Sequence, residues 1–367
     1  MRSLFFFTES LMHMSVLSNF QTLSLACAMA LALTACGGGA SSSSDTPTSP
    51  TAPVSPTPTI VPVTPAVSTT VAIVDAAAPQ PNRYSTEELA AFNVFNTARL
   101  NCGFGALKQS TQLDVAALNH TRYQIENSLV THTQIVGNRG FTGVTLLDRL
   151  AAANYVNYRS AGEVIASLGA IAPSGWGSTL ATNLLAAPYH LMGLMQGNRE
   201  IGISFKTGGP IGSAADITYA GAAPTTLLTA DMGSSANLLP QAQDANSVLT
   251  YPCQGTTGTA WQMTNETPNP VAPRNLATNP IGQPIFVQAL AGQRLVILSA
   301  SVTGPLGSVA LLPTLTAAND PNAHLSGNQA ILMPNLPAAP TASYTVSITG
   351  THDGMAFAKT FSFTTGS

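Results

Sequence analysis

Charge is scarce in this chain. Its 367 residues hold 13 Lys and Arg and 16 Asp and Glu, 8% together, against about 25% in an ordinary soluble domain. There is no basic run, and the formal net charge is −3. Nothing here would draw nucleic acid or an anionic membrane surface electrostatically, so neither is expected as a partner on that ground. Solubility must rest on Ser, Thr, Asn and Gln, a habit of secreted bacterial surfaces. The apolar stretch at 23–33 is too short for the roughly 20 residues that cross a bilayer. Gly-x-Ser-x-Gly and His-Glu-x-x-His are absent, so the best-known hydrolytic machines find no support. Cysteine is sparse, with four in all.

What the short apolar stretch does suit is export. It ends in Leu33-Thr34-Ala35-Cys36, followed by Gly37-Gly38-Gly39. Small residues before a cysteine fit a signal peptidase of the lipoprotein kind. The spacing resembles the bacterial lipobox, which implies a signal peptide over residues 1–35 and an acylated Cys36 that anchors the mature protein in a lipid bilayer. Gly37 in place of Asp after the anchor is compatible with outer-membrane sorting in a Gram-negative cell, facing the periplasm or the surface. Residues 36–82 are Ser, Thr, Pro, Ala and Val with almost no charge. Such a segment cannot bury enough apolar surface to offset the entropy of ordering it, and its prolines make it a semi-rigid tether.

With Cys27 inside the signal and Cys36 the anchor, Cys102 and Cys253 are left. An oxidising compartment favours one disulfide between them, worth roughly 4–5 kcal/mol by loop closure. Two buried free thiols are the alternative.

Order is expected from Tyr84. Ser85 and Glu88 form a capping box, and Leu89, Phe92, Val94 and Phe95 give the following helix an apolar face. A second helix opens near Gln112, with His120 on the same face as Leu113, Ala116 and Ala117. A third runs from about Leu146 to Ala153. Strand-like runs follow at 200–205, 216–219, 226–230 and 248–251. Helices first and antiparallel strands after predict an α+β layering.

These residues carry a resemblance. Asn96-x-x-Arg99-x-x-x-Gly103-x-x-x-Leu107, His132-Thr133, Asp148-Arg149, Gly162-Glu163, Ala187-Pro188-Tyr189-His190 and Glu200-Ile201-Gly202-Ile203 follow the order of the CAP superfamily of SCP-like extracellular domains. The resemblance covers residues 83–253 and implies an α-β-α sandwich with an open cleft. It implies a cleft set of His132, Glu163 and His190, with His120 as a candidate fourth member. Two imidazoles and a carboxylate are a serviceable Zn²⁺ set, His132, Glu163 and His190 being the ligands. Equally, the histidines can be hydrogen-bonded structural residues. Gly162-Glu163-Val164 departs from the family's Gly-Glu-Asn, and no acid between Glu163 and Glu200 matches its second acid.

Residues 254–275 read as a linker. From 276 to 367 short apolar runs at 285–289, 294–301, 308–312, 329–333, 344–349 and 356–363 alternate with turns. His352-Asp353-Gly354 is a hairpin signal, and Leu336-Pro337 ahead of Tyr344 suits a tyrosine corner. This part resembles bacterial Ig-like β-sandwiches. Two functions are expected from the whole: a surface binding module for a small apolar, glycan or cell-envelope ligand, or a metal-assisted hydrolase using His132, Glu163 and His190.

Overall fold

The computed structural model describes residues 78–367. The segments expected to form the signal peptide, the Cys36 anchor and nearly all of the tether lie outside the described residues. Among the described residues, no helix is long and apolar enough to cross a membrane.

Helix α1 (Thr86–Asn101) starts where the capping box places it. Ser85 Oγ accepts from the Glu88 amide and Glu88 Oε2 accepts from the Ser85 amide. At its other end the guanidinium of Arg99, 1% exposed, donates to the carbonyls of Phe104, Gly105, Leu194, Gln196 and Asn198. One buried cation thereby stitches the helix end to a loop some 95 residues later. A short strand β1 (Lys108–Gln109), helix α2 (Thr111–Asn127) and helix α3 (Leu146–Ala152) follow.

A long strand absent from the sequence expectations comes next, β2 (Tyr158–Leu168), then helices α4 (Trp176–Ala186) and α5 (Pro188–Leu194). Strands β3 (Glu200–Gly209), β4 (Ile217–Thr218) and β5 (Thr225–Ser235) complete a mixed sheet in the order β1-β3-β5-β2, with β4 beside β3. The elements thus interleave rather than running helices first and strands after. Helix α2 covers one face of this sheet, meeting β3 so closely that a side chain at Gly202 would collide with the backbone of Leu113 and Asp114. Helices α1, α4 and α5 cover the other face through Phe92, Phe95, Leu180, Leu184 and Leu191. The result is an α/β/α layering.

The remaining strands make two further sheets. One is β10-β11-β7-β6, from β6 (Leu249–Tyr251), β7 (Ile285–Gln288), β10 (Leu315–Thr316) and β11 (Gln329–Leu332). The other is β13-β12-β8-β9, from β8 (Leu295–Gly304), β9 (Gly307–Val309), β12 (Ser343–His352) and β13 (Met355–Thr364). Ile285, Val287 and Leu332 of the first sheet share a core with Val302, Val346, Phe361 and Phe363 of the second. Between β12 and β13, Asp353 and Gly354 take φ of 49° and 81°, the positive pair that a tight hairpin turn requires. Tyr344 Oη accepts from the Ala339 amide at 2.6 Å, a side chain folded back on the preceding loop.

The two parts are not separated at Cys253. Strand β6 pairs with β7 before that residue is reached. Phe286 and Ile331, on the outer side of their sheet, join Phe104, Leu184 and Leu194 in one apolar core. Segment 254–275 is correspondingly held in place rather than slack. Met263 pairs with Ile281 through both backbone groups. The Cys102–Cys253 disulfide is formed and closes a loop of 151 residues, tying the end of α1 to the start of this segment.

Candidate functional site

The site begins on β2. Its residue Glu163 faces Asp231 of β5 directly across the strand pair, on the side covered by α2. An acid at this place must be neutralised, and α3 does so. Its capping box of Thr145 and Asp148 sets the helix start. One turn on, Arg149, 1% exposed, donates to Glu163 Oε2 at 2.7 Å and to the His132 carbonyl at 3.0 Å. His132 Nδ1 meets Glu163 Oε1 at 2.8 Å. Burial alone would raise the Glu163 carboxyl. The His132 hydrogen bond and the fields of His120, Arg149 and His132 outweigh it and hold the group below the usual carboxylate range.

Asp231 goes the other way. Fully buried beside the Glu163 charge, its carboxyl is pushed well above the ordinary range, with Arg149 opposing only in part. Both of its oxygens are buried without a hydrogen-bond partner among the described residues. The sequence reading missed Asp231, although an acid inside the apolar run Leu227 to Met232 was a signal of a buried, partnered carboxyl.

His120 lies behind this group. Its Nδ1 accepts from Gln134 Nε2 at 2.9 Å, so Nε2 carries the proton and donates to the Thr131 carbonyl at 2.7 Å. Burial lowers its pKa to about 4 despite the Glu163 charge. It is a neutral, fully enclosed ring that fixes the loop bearing His132, and it does not line the cleft.

His190 stands in α5, across from His132, with ring centroids 6.4 Å apart. Its acidic neighbour is not Glu163 but Glu266, from the segment read as a linker. Glu266 Oε1 is 2.7 Å from His190 Nδ1, a close contact that does not meet hydrogen-bond geometry. Its Oε2 accepts from the Tyr189 amide at 3.2 Å. Tyr189 in turn donates to Asp320 and accepts from Asn322, so a loop of the β-sandwich steadies the helix that carries His190. No local pattern around Glu266 announced this role; with its neighbours Thr267 and Pro268 it reads as linker.

Two His–carboxylate couples therefore face each other across a cleft of about 640 Å³. Its lining includes Thr131, Ile165, Ser167, Leu184 and Met263, and contains no Lys, Arg, Trp, Tyr or Phe. His132 is half exposed, while both carboxylates are almost wholly buried. The set expected to bind metal is not gathered at one point: His132 and Glu163 are together, and His190 is with Glu266. Each carboxylate is engaged at an Nδ1 atom, leaving two imidazole Nε2 atoms where a catalytic zinc takes three protein ligands. Among the described residues, no group of three or more His, Cys, Asp or Glu is placed to hold a metal ion. These residues do not fit a zinc centre.

No family model matches the chain, and no curated protein does. Among solved structures, an extracellular protein containing an SCP domain from Bacillus anthracis str. Ames is similar at 18% identity and a TM-score of 0.30. The similarity spans 41% of this chain and 40% of that one.

Proposed function

We propose that this protein is an exported, membrane-anchored CAP-like module that binds a ligand in the cleft between β2 and segment 262–267, with an Ig-like sandwich as its second part. The ligand is of the small apolar, glycan or cell-envelope kind. The observation that carries this reading is the cleft itself, about 640 Å³ with a lining that has no Lys or Arg and both of its histidines braced by buried carboxylates. A volume of that size suits a small-molecule or short-polymer site. Bracing at Nδ1 leaves each Nε2 oriented for a hydrogen bond to a ligand. The export signals around Cys36 support the location.

Hydrolysis is the weaker reading. Glu163 is held by Arg149 and His132 at 2% side-chain exposure, so it has no free oxygen with which to activate water. The test is equilibrium binding of lipids, soluble glycans and peptidoglycan fragments to the full chain and to a His132→Ala/His190→Ala variant. Binding lost in the variant is expected. No interaction with any of the three classes would sink the binding module.

A further inference from the structure

An open strand edge is a template for another strand, and folded proteins usually cover or blunt it. The mixed sheet has two edges, and they are treated differently. At the β3 edge, beyond the reach of β1, the amides of Ile203, Phe205 and Thr207 donate to the carboxylates of Asp114, Glu88 and Asp216. Side chains close that edge. At the other edge, among the described residues, β2 pairs only with β5.

Which groups β2 leaves free follows from the alternation of the ladder. The Ile201 carbonyl bonds Ser110, and Ile203 and Phe205 bond the carboxylates, so odd-numbered residues of β3 turn away from β5. Even-numbered ones bond β5, through the pairs Gly202↔Asp231 and Ser204↔Thr229. Even-numbered residues of β5 are then left for β2, where they meet Gly162, Val164 and Ala166. The N–H and C=O groups of Ile165 and Ser167 point outward from the sheet.

Outward here means into the cleft. Ile165 and Ser167 line it. The other lining residues come from both faces of the sheet, Thr131 from the α2 side and Leu184 and His190 from the α4–α5 side. A cleft that touches both faces lies along the edge. Its far wall is also an extended backbone. Met263 spends both main-chain groups on Ile281, so Gln262 and Thr264 turn theirs the opposite way.

Two extended walls with free main-chain groups make a slot for one more strand. We propose that the cleft takes an extended, neutral or basic peptide, added to the outer edge of β2 and flanked by segment 262–267. This rests on the reading of the cleft as the binding surface and names the ligand class. Charge decides against an acidic polymer, because the lining has Glu266 but no Lys or Arg. A glycan would find no Trp, Tyr or Phe ring to stack on, whereas Leu180, Leu184 and Met263 offer apolar contact to alternate side chains of a strand.

The experiment uses the full chain and a bead-bound library of acetylated random hexapeptide amides, with soluble peptidoglycan glycan strands as the competing probe. Enriched peptides are then measured by fluorescence anisotropy. The expected result is enrichment of sequences poor in Asp and Glu, and loss of at least about tenfold in affinity in Ser167→Pro, the size of one lost backbone hydrogen bond. Proline at this position removes an outward N–H while leaving the ladder to β5 intact. Should Ser167→Pro melt well below the parent, N-methylation of successive amides in the best peptide, tested on the unmodified chain, replaces it. Loss of binding at alternate amides is expected there. Unchanged affinity in a folded Ser167→Pro, or an N-methyl scan without alternation, overturns the proposal. Glycan binding with no peptide enriched overturns it and leaves the binding module standing. Neither probe binding overturns the peptide proposal, and the binding module then stands or falls on the lipid arm of its own test.

Discussion

Arg149→Met probes the buried charge group most directly. The substitution keeps much of the volume and removes the one cation beside Glu163, whose side chain is 2% exposed. A buried ion pair broken on one side typically costs about 3–5 kcal/mol. The structure sets a ceiling on that cost, since Glu163 can escape by taking a proton. From an ordinary carboxyl value near 4.3, protonation at pH 7 costs about 3.7 kcal/mol at 1.36 kcal/mol per pH unit. The hydrogen bond to the His132 carbonyl adds about 1 kcal/mol. Urea unfolding at pH 7 should therefore show a loss of about 4–5 kcal/mol. At pH 5 the proton is nearly free, and the same variant should lose only about 2 kcal/mol. Adding Glu163→Gln to Arg149→Met should recover most of the pH 7 loss, because no buried charge is left unpaired. A pH 7 loss under about 1 kcal/mol, or no recovery in the double variant, would refute the account of a charge held in place by Arg149.

His120 titrates at about 4 when folded and near 6.5 when unfolded, so between these values the unfolded chain binds more protons and stability rises with pH. The stability advantage of the parent over His120→Gln should therefore shrink by about 3 kcal/mol from pH 7 to pH 4. The opposite contribution of Asp231 cancels in that difference, and a difference independent of pH would refute the buried neutral ring. Replacing both Cys102 and Cys253 by Ala reopens a loop of 151 residues, and should lower unfolding free energy by about 5 kcal/mol in the loop-entropy picture. Calorimetry of that variant beside the reduced parent checks it, and a loss under about 1 kcal/mol would show the shared core alone holding α1 to the sandwich. Zn²⁺ titration of the full chain should give no stoichiometric site. Tight binding abolished by His132→Ala/His190→Ala would show that the couples rearrange around a metal.

Local signals announced local features. The Ser85–Glu88 box, the Asp353-Gly354 turn and the strict alternation from Tyr344 to Ile348 each depend on a few neighbouring residues, and each is present. Strand β2 was invisible because its sequence, from Tyr158 to Leu168, mixes small, polar and charged residues without a period of two. It packs against helices on both sides near its centre and runs into solvent at its start. Strand β7 shows the reverse: four consecutive buried residues, because one side faces the sandwich interior and the other the helical layer. Of the cleft, His132, Glu163 and His190 were reached through resemblance, but their grouping was not, since pairing across long sequence distances leaves no trace in spacing. Glu266 illustrates this best: 76 residues beyond His190, it stands beside it in space.

The core that runs without interruption from α1 to Phe286 has a consequence for how such a protein can change over generations. A sandwich joined by a slack linker can be exchanged for another by recombination at the linker, and the first part survives the exchange. Here the replacement would have to present a matching apolar sheet to Phe104 and Leu184, and a carboxylate where Glu266 meets His190. The two halves are bound to be inherited together, and the wall of the cleft with them.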